Sequence, residues 1–161
     1  MAKIPRQIKV EHVEWAASQL KTRELPSTVL KGLILKLDML ATTTDTPALT
    51  REEFAKVITT IGIVINGEDN IIRVPFYHLY FQNFYDFSKE PEYSFDLAAA
   101  GTSKVMQMTV YLPFALPRAV KPEDTLLDLR KNRGVLEVQW GAAAVSSTVT
   151  ITSGNLEDGG Y

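Results

Sequence analysis

Only two histidines, His12 and His78, occur in this sequence of 161 residues, and it contains no cysteine. Without cysteine the chain has no disulfides, zinc fingers or thiolate catalysis. The two histidines fall in segments that we interpret as separate helices. They therefore cannot supply the two or three imidazoles that a metal-binding β-barrel brings together. We predict no metal ion, no cofactor and no enzyme activity.

Other patterns that carry chemistry give little support to a catalytic site. His78 and Asp86 could form a polar pair, but we favour a solvated stripe on one helix. The acidic segment Asn66-Gly67-Glu68-Asp69-Asn70 lacks the twelve-residue ligand spacing of a calcium loop, so we interpret it as a hairpin turn. No nucleophile elbow, phosphate-binding loop or dinucleotide turn occurs. A pair of glycosidase-type carboxylates stays open, because its spacing is spatial rather than sequential.

The segment Phe76–Phe87 holds seven of the fifteen aromatic residues. Such a segment could stack against sugars or nucleic acid bases. A surface that binds single strands also needs interleaved basic residues, and none lies between Arg73 and Lys89. We therefore favour packing in the core or at a subunit interface.

The net charge of -2 and the 45% hydrophobic composition are typical of a single packed domain. No basic field indicates nucleic acid or an anionic membrane as partner. We interpret the basic cluster Arg130, Lys131 and Arg133 as a solvated turn.

Thr, Val and Ile make up 38 of the residues, which predicts a mainly β protein. Alternating apolar residues predict a strand over Val29–Met39 and a hairpin of strands around Asn66-Gly67. Further strands are predicted at Tyr93–Leu97, Lys104–Leu112, Val135–Trp140 and Ser147–Thr152. Residues Ala41–Leu49 are expected to form a loop, and the prolines at 113, 117 and 122 mark an irregular passage.

Three helices are predicted. Apolar residues at helical spacing indicate a short amphipathic helix over Val10–Leu20. Thr50 followed by Glu53 matches a capping box, which places a helix over Arg51 to about Val57. In Phe76–Phe87 the polar residues lie four apart, so a helix with one polar stripe fits that segment. The stripe comprises His78, Gln82 and Asp86, with Asn83 beside them.

Helices are too few for a parallel α/β sheet, so we predict an antiparallel jelly-roll sandwich with short helical inserts. Residues 1–27 form an N-terminal arm with a short helix, 28–152 the jelly roll and 153–161 a mobile tail. We also hypothesise that Met1–Leu25 contacts neighbouring subunits.

The order of these segments resembles a family of viral proteins. It is similar to the major capsid proteins with a single vertical jelly roll in membrane-containing icosahedral viruses, such as the sphaerolipoviruses and related bacteriophages. The resemblance covers roughly residues 28–152. It is carried by Leu30–Leu37, Ile61–Gly67, Ile71–Pro75, the helix with Tyr80, Asn83 and Tyr85, Tyr111–Phe114, Asp124–Asp128 and Leu136–Gly141.

This resemblance implies a capsid subunit that packs laterally with copies of itself and with other capsid proteins. The resulting capsomers would tile a shell over a lipid vesicle in the virion, after assembly in the host cytoplasm. The sequence stops soon after Thr152, so we expect the N-terminal segment or a neighbour to complete the barrel. The candidate interface residues are Trp15, Leu20, Phe76, Tyr77, Tyr80 and Phe84.

Two other functions remain open from the residues. A β-sandwich module of a virion spike would bind carbohydrate or a receptor through exposed Tyr or Trp on a sheet face. A jelly-roll enzyme would need metal or paired carboxylates.

Overall fold

The computed structural model describes residues 11–44, 46–114 and 126–160. Within these ranges the chain forms eleven strands and two helices. The elements are β1 (Glu11–Glu14), β2 (Leu20–Glu24), β3 (Val29–Leu30), β4 (Gly32–Thr43), α1 (Arg51–Ala55), β5 (Ile58–Ile65), β6 (Asp69–Val74), α2 (Phe76–Phe87), β7 (Tyr93–Phe95), β8 (Gly101–Pro113), β9 (Leu127–Asp128), β10 (Gly134–Trp140) and β11 (Val149–Gly160).

The strands form two antiparallel sheets that face each other. The first sheet has the order β1-β11-β4-β8-β7 and the second has the order β2-β10-β5-β6. β3 and β9 form a separate small pair. Some strands that follow one another in the chain, such as β1 and β2 or β4 and β5, lie in different sheets, whereas β5 and β6 form a hairpin within one sheet. The connections therefore cross repeatedly between the two layers.

The core lies between the sheets, and β4 shows how the sequence specifies it. Leu33, Leu35, Leu37 and Met39 are fully buried, whereas the residues between them are partly exposed. Side chains alternate between the two faces of a strand, so this parity directs one face of β4 inward. Each such side chain contributes about 1.5–3 kcal/mol through burial. The strand predicted from this parity is confirmed, and it extends to Thr43 instead of giving way to a loop at Ala41.

Local signals also determine α1 and the hairpin of β5 and β6. The Thr50 side chain accepts from the Glu53 amide, and the Glu53 carboxylate accepts from the Thr50 amide, as the capping box predicts. The Thr50 amide and the Thr50 hydroxyl both donate to the Glu53 carboxylate, and these two hydrogen bonds lower the pKa of Glu53. At the hairpin, Asn66 and Gly67 have φ values of 53° and 79°, which a tight reversal requires. Both predictions are confirmed, although α1 ends at Ala55.

The predicted N-terminal helix is wrong over the described part of that segment. Glu11–Glu14 pairs with β11, and Leu20–Glu24 pairs with β10. Between them the chain turns at Ser18, whose φ is 58°. A short isolated helix has marginal stability, whereas each of these strands forms backbone hydrogen bonds with a neighbouring strand along its length. The remainder of the predicted arm, Met1–Val10, lies outside the described residues.

The prediction of a mobile C-terminal tail is also wrong over residues 153–160. We expected a mobile tail after Thr152, but residues 153–160 complete β11, which lies between β1 and β4 in the first sheet. The sequence pattern did not predict this part of β11, because three glycines and Asp158 interrupt the alternation of apolar and polar residues. An added Cβ on Gly154 would lie 2.5 Å from the Asp38 carbonyl oxygen, so glycine permits the close approach of β11 to β4 there. The predicted strands at Tyr93, Lys104 and Val135 are confirmed as β7, β8 and β10, whereas Pro117 and Pro122 lie outside the described residues.

Candidate intersubunit surfaces

Arg23 closes one side of the sandwich, where β1 and β2 approach each other. Its guanidinium forms an ion pair with Asp158 of β11, and its Nε donates to the Glu11 carboxylate of β1 at 2.9 Å. The side chains of Arg23 and Asp158 are only 12% and 2% exposed. This cluster of three charges, the Arg23 clamp, joins β2 in the second sheet to two strands of the first. The N-terminal strands are therefore integral parts of both sheets, and they complete the barrel as one of our expectations required.

Alternation along β2 determines which of its side chains meet solvent. Lys21 and Arg23 are partly buried, whereas Leu20, Thr22 and Glu24 are exposed. Leu20 is 49% exposed at the start of this edge strand. It is therefore accessible to a neighbouring molecule, and its role in a subunit interface stays a prediction.

Trp15 lies in the connection between β1 and β2 and packs partly against the core. Its backbone N–H donates to the Gly154 carbonyl at 3.0 Å, which attaches the connection to β11. The indole Nε1 is buried and has no hydrogen-bond partner among the described residues. Trp15, His12 and Glu14 also line a shallow depression of about 660 Å³ at this edge of the first sheet. Trp15 is thus mainly a packing residue with an exposed margin.

On the side opposite the Arg23 clamp, α2 packs against β5 and β8. Its buried residues are Phe76, Leu79, Tyr80 and Asn83, which follow the i, i+3, i+4, i+7 spacing of one helix face. Phe76 is fully buried and Tyr80 is 5% exposed. Our prediction of these two as interface residues is therefore wrong, because they belong to the core of the single chain. Burial also raises the pKa of Tyr80.

Asn83 corrects a second detail of that helix. We placed it beside the polar stripe, but it is 2% exposed and faces β8. His78, Gln82 and Asp86 are exposed, so the stripe itself is confirmed. Asn83 lies seven positions after Phe76, on the same helix face, and this spacing is the sequence signal by which its inward orientation could have been predicted.

The C-terminal half of α2 carries three exposed aromatic residues, and β7 carries a fourth. We call Phe84, Tyr85, Phe87 and Tyr93 the aromatic surface; their exposed fractions are 40%, 72%, 48% and 43%. Tyr77, another candidate, is only partly exposed and packs against the core and Phe81. Among the six candidate interface residues, Phe84 belongs to the aromatic surface, whereas Tyr85, Phe87 and Tyr93 were not candidates; the role of Phe84 in an interface stays a prediction. Aromatic surface of this kind is enriched at protein interfaces.

A depression of about 460 Å³ lies beside the aromatic surface, lined in part by Arg51, Glu90 and Tyr93. The Arg51 guanidinium lies 4.0 Å from the centre of the Tyr93 ring and forms an ion pair with Glu90. The other neighbour of that ring is Phe95, with ring centres 5.2 Å apart. The guanidinium thus covers one face of the Tyr93 ring, so that face cannot stack against a sugar. This depression consequently gives little support to carbohydrate binding.

The groups considered for catalysis do not come together. His12 lies on β1 and His78 on α2, on opposite sides of the sandwich. His78 and Asp86 are eight positions apart on one helix, about 12 Å along its axis, so they form no pair. Within the ranges that the structure describes, no three His, Asp or Glu side chains form a group that could hold a metal ion. The helices found there are also too short or too polar to span a bilayer.

Two of the basic residues near β10 are neutralised by neighbouring carboxylates. Arg130 contacts both oxygens of Asp128, at 2.9 and 2.5 Å, and these hydrogen bonds lower the pKa of Asp128 to about 2. Arg133 donates to Glu24 at 3.0 Å. Arg130, Lys131 and Arg133 are all exposed, so the predicted solvated turn is confirmed.

No protein-family model and no curated protein matches this sequence. Solved structures do match the fold. The crystal structure of the STIV MCP superposes on 98% of this chain with a TM-score of 0.62 and 16% sequence identity. The atomic structure of Sulfolobus Turreted Icosahedral Virus contains a chain that covers 95% of it, with a TM-score of 0.64 and 15% identity. PBCV-1 VP54, fitted into a reconstruction of the virophage Sputnik, covers 98% with a TM-score of 0.55 and 9% identity.

The chain spans less than half of each of these proteins, since the matched part is 48%, 44% and 43% of their respective lengths. At such low identity the likeness establishes the fold alone. Together with the two facing antiparallel sheets, this likeness shows that the chain is a jelly roll of the kind found in viral major capsid proteins.

Proposed function

We propose that this protein is a structural subunit of an icosahedral viral shell, in which copies of the jelly roll pack side by side into capsomers. One observation carries the proposal: the jelly roll matches major capsid proteins over nearly the whole chain. The exposed aromatic residues of the aromatic surface agree with a function performed by surfaces. We assign no catalytic activity and no cofactor to the chain.

Lateral packing requires exposed apolar side chains that the single chain does not use itself. Leu20 beside the Arg23 clamp and the aromatic surface on the opposite side meet this requirement. They lie on different sides of one subunit, so a contact that joins them is head-to-tail and can close into a ring. A stable contact buries about 800 Å² on each partner, which is more than either group offers alone, so polar residues around them must take part.

The finer parts of the proposal come from the resemblance described above. Other capsid proteins complete the shell, which surrounds a membrane in the virion after assembly in the host cytoplasm. Residues Met1–Val10 precede β1 directly and are proposed to contact a neighbouring subunit.

Assembly of the purified full chain tests the main proposal. Sedimentation and negative-stain microscopy over rising protein concentration, with and without companion capsid proteins, should reveal rings or larger particles. Monomers alone under every condition would contradict it. Binding of the monomer to a glycan array would favour the spike-module alternative instead.

To test whether the N-terminal residues contact a neighbouring subunit, the deletion must be shorter than Met1–Leu25. Removal of Met1–Leu25 would delete an edge strand from each sheet together with the Arg23 clamp, whereas removal of residues 2–10 leaves that clamp intact. The shorter deletion is expected to weaken assembly without unfolding the monomer. Normal particles from the shortened chain would contradict this part of the proposal.

A further inference from the structure

One edge of β8 is paired along only part of its length. On one side β8 pairs with β4 from Gly101 to Pro113. On the other side β7 pairs only with Met106–Met108, extended by the bond from the Thr109 amide to the Glu92 carbonyl at 2.8 Å. Beyond Thr109 no strand among the described residues lies on that side. An unpaired edge of this kind is a template for a strand from another molecule.

The direction of the backbone groups identifies which residue is exposed to such pairing. In an antiparallel strand, successive residues point their N–H and C=O groups to alternate sides. Since the Thr109 amide points toward β7, the backbone groups of Tyr111 point to the same side. Pro113 comes next in this series and has no N–H to donate. Tyr111 is therefore the residue at which an added strand would have to pair.

Asn83 of α2 occupies that position. Its Oδ1 accepts from the Tyr111 amide at 2.6 Å, and its Nδ2 donates to the Tyr111 carbonyl at 2.7 Å. The side-chain amide thus makes the same two bonds that an opposing strand residue would make. Its Nδ2 also donates to the Leu79 carbonyl at 3.0 Å, which holds the amide in this orientation.

The next turn of the helix covers the same place. Phe87 follows Asn83 by four positions, so the two share a helix face, and the Phe87 ring lies 5.7 Å from the Tyr111 ring. Asn83 itself is 2% exposed. Asn83 and Phe87 therefore occupy the place from which another strand would pair with the backbone of Tyr111.

We propose that Asn83 acts as a substitute strand residue, which closes the edge of β8 so that other molecules cannot extend the first sheet there. At this edge, molecules that associate with the protein then do so through side chains, where contacts are selective. The inference applies to the edge of the sheet whether or not the chain is a capsid subunit. If the experiments contradict this role of Asn83, the proposed function as a capsid subunit is not affected.

The test replaces Asn83 by leucine, which has a similar volume and no hydrogen-bonding group, in the full chain. In Asn83→Leu the Tyr111 amide should exchange with solvent about tenfold faster or more, relative to the Val110 amide. Species with intermolecular β-sheet should then grow with time and concentration, as followed by sedimentation and infrared spectroscopy. The matched control is Gln82→Leu, which adds the same apolar group on the exposed stripe and should change neither measurement.

Two further variants separate edge closure from ordinary loss of stability. Leu79→Ala destabilises the same helix without removing the amide and should not produce sheet-linked species. The double variant Asn83→Leu with Tyr111→Pro lacks the free N–H and should form fewer of them than Asn83→Leu alone. If Asn83→Leu does not fold, Asn83→Ser, whose hydroxyl is too short to make both bonds, takes its place.

An unchanged Tyr111 exchange rate in the folded variant would overturn the proposal. So would equal aggregation of Leu79→Ala and Asn83→Leu at matched stability.

Discussion

Arg23 and Asp158 form a buried ion pair that connects an early strand of one sheet to the last strand of the other. Breaking a buried pair leaves one charge without its partner in a site of low dielectric constant, which costs about 3–5 kcal/mol. We therefore expect Arg23→Met to lower the free energy of unfolding by about that amount, as measured by urea denaturation.

The exposed pair of Arg133 and Glu24 provides the control, with both side chains more than half exposed. Arg133→Met should cost less than about 1 kcal/mol, because solvent screens exposed pairs. The double variant Arg23→Met with Asp158→Leu should regain part of the lost stability, since no charge then stays buried. Equal effects of the two single arginine variants would show that the clamp has no special importance.

Gly154 should tolerate no side chain. A Cβ there would lie 2.5 Å from both the Asp38 carbonyl oxygen and the Met39 sulfur, so β11 or β4 would have to move. We expect Gly154→Ala to lower the melting temperature much more than Gly67→Ala. At Gly67 a Cβ meets nothing within 4 Å, and the cost is only the positive φ, about 1 kcal/mol. Similar losses at the two positions would contradict the close approach of the strands.

Asp128 should titrate at an unusually low pH. Hydrogen bonds from Arg130 stabilise its carboxylate and lower its pKa from an ordinary value of 3.8 to about 2. Because the pKa is lower in the folded protein, the stabilisation is present above pH 3.8 and is lost as the pH falls toward 2. In Arg130→Gln the midpoint of the carboxyl carbon shift, measured by NMR, should rise toward 3.8. Arg133→Gln should leave it near 2, and a normal midpoint in the unaltered protein would contradict the contact.

The exposed aromatic residues should affect association more than folding. We expect Phe84→Ser with Tyr85→Ser to change the free energy of unfolding by about 1 kcal/mol or less, because both side chains are well exposed. The same variant should reduce the size of the assemblies seen by sedimentation. Phe76→Ala should instead cost about 3–5 kcal/mol, since Phe76 is fully buried.

The neighbouring exposed residue His78 supplies a matched control for this variant. His78→Ser lies on the polar stripe of the same helix and should alter neither stability nor assembly. If the aromatic variant assembled normally, the aromatic surface would not be an intersubunit contact.

Local patterns predicted the elements whose cause is local. The parity of Leu33–Met39, the capping box of Thr50 and the Asn66-Gly67 turn each specify a short segment by sterics or hydrogen bonds between near neighbours. The same reasoning failed at both ends of the described chain. β1 and β2 exist because β11 and β10 lie beside them, and such pairing depends on residues more than a hundred positions away.

The candidate surfaces also depend partly on contacts between distant parts of the chain. The candidate interface residues Leu20 and Phe84 are exposed, but whether an aromatic residue of α2 faces the core depends on where β5 and β8 lie. Those contacts place Phe76 and Tyr80 inside and Tyr85 outside. The Arg23 clamp had no signal in the sequence, since neither partner stands in a recognisable motif.

The position of β11 also has a consequence for the synthesis of the protein. β11 lies between β1 and β4, so β1 has no neighbour in the first sheet until residue 160 has left the ribosome. Contacts between such distant parts of a chain form slowly and cannot begin during early elongation. A partly made chain therefore cannot present a finished barrel to its neighbours, and incomplete molecules are kept out of any assembly that requires one.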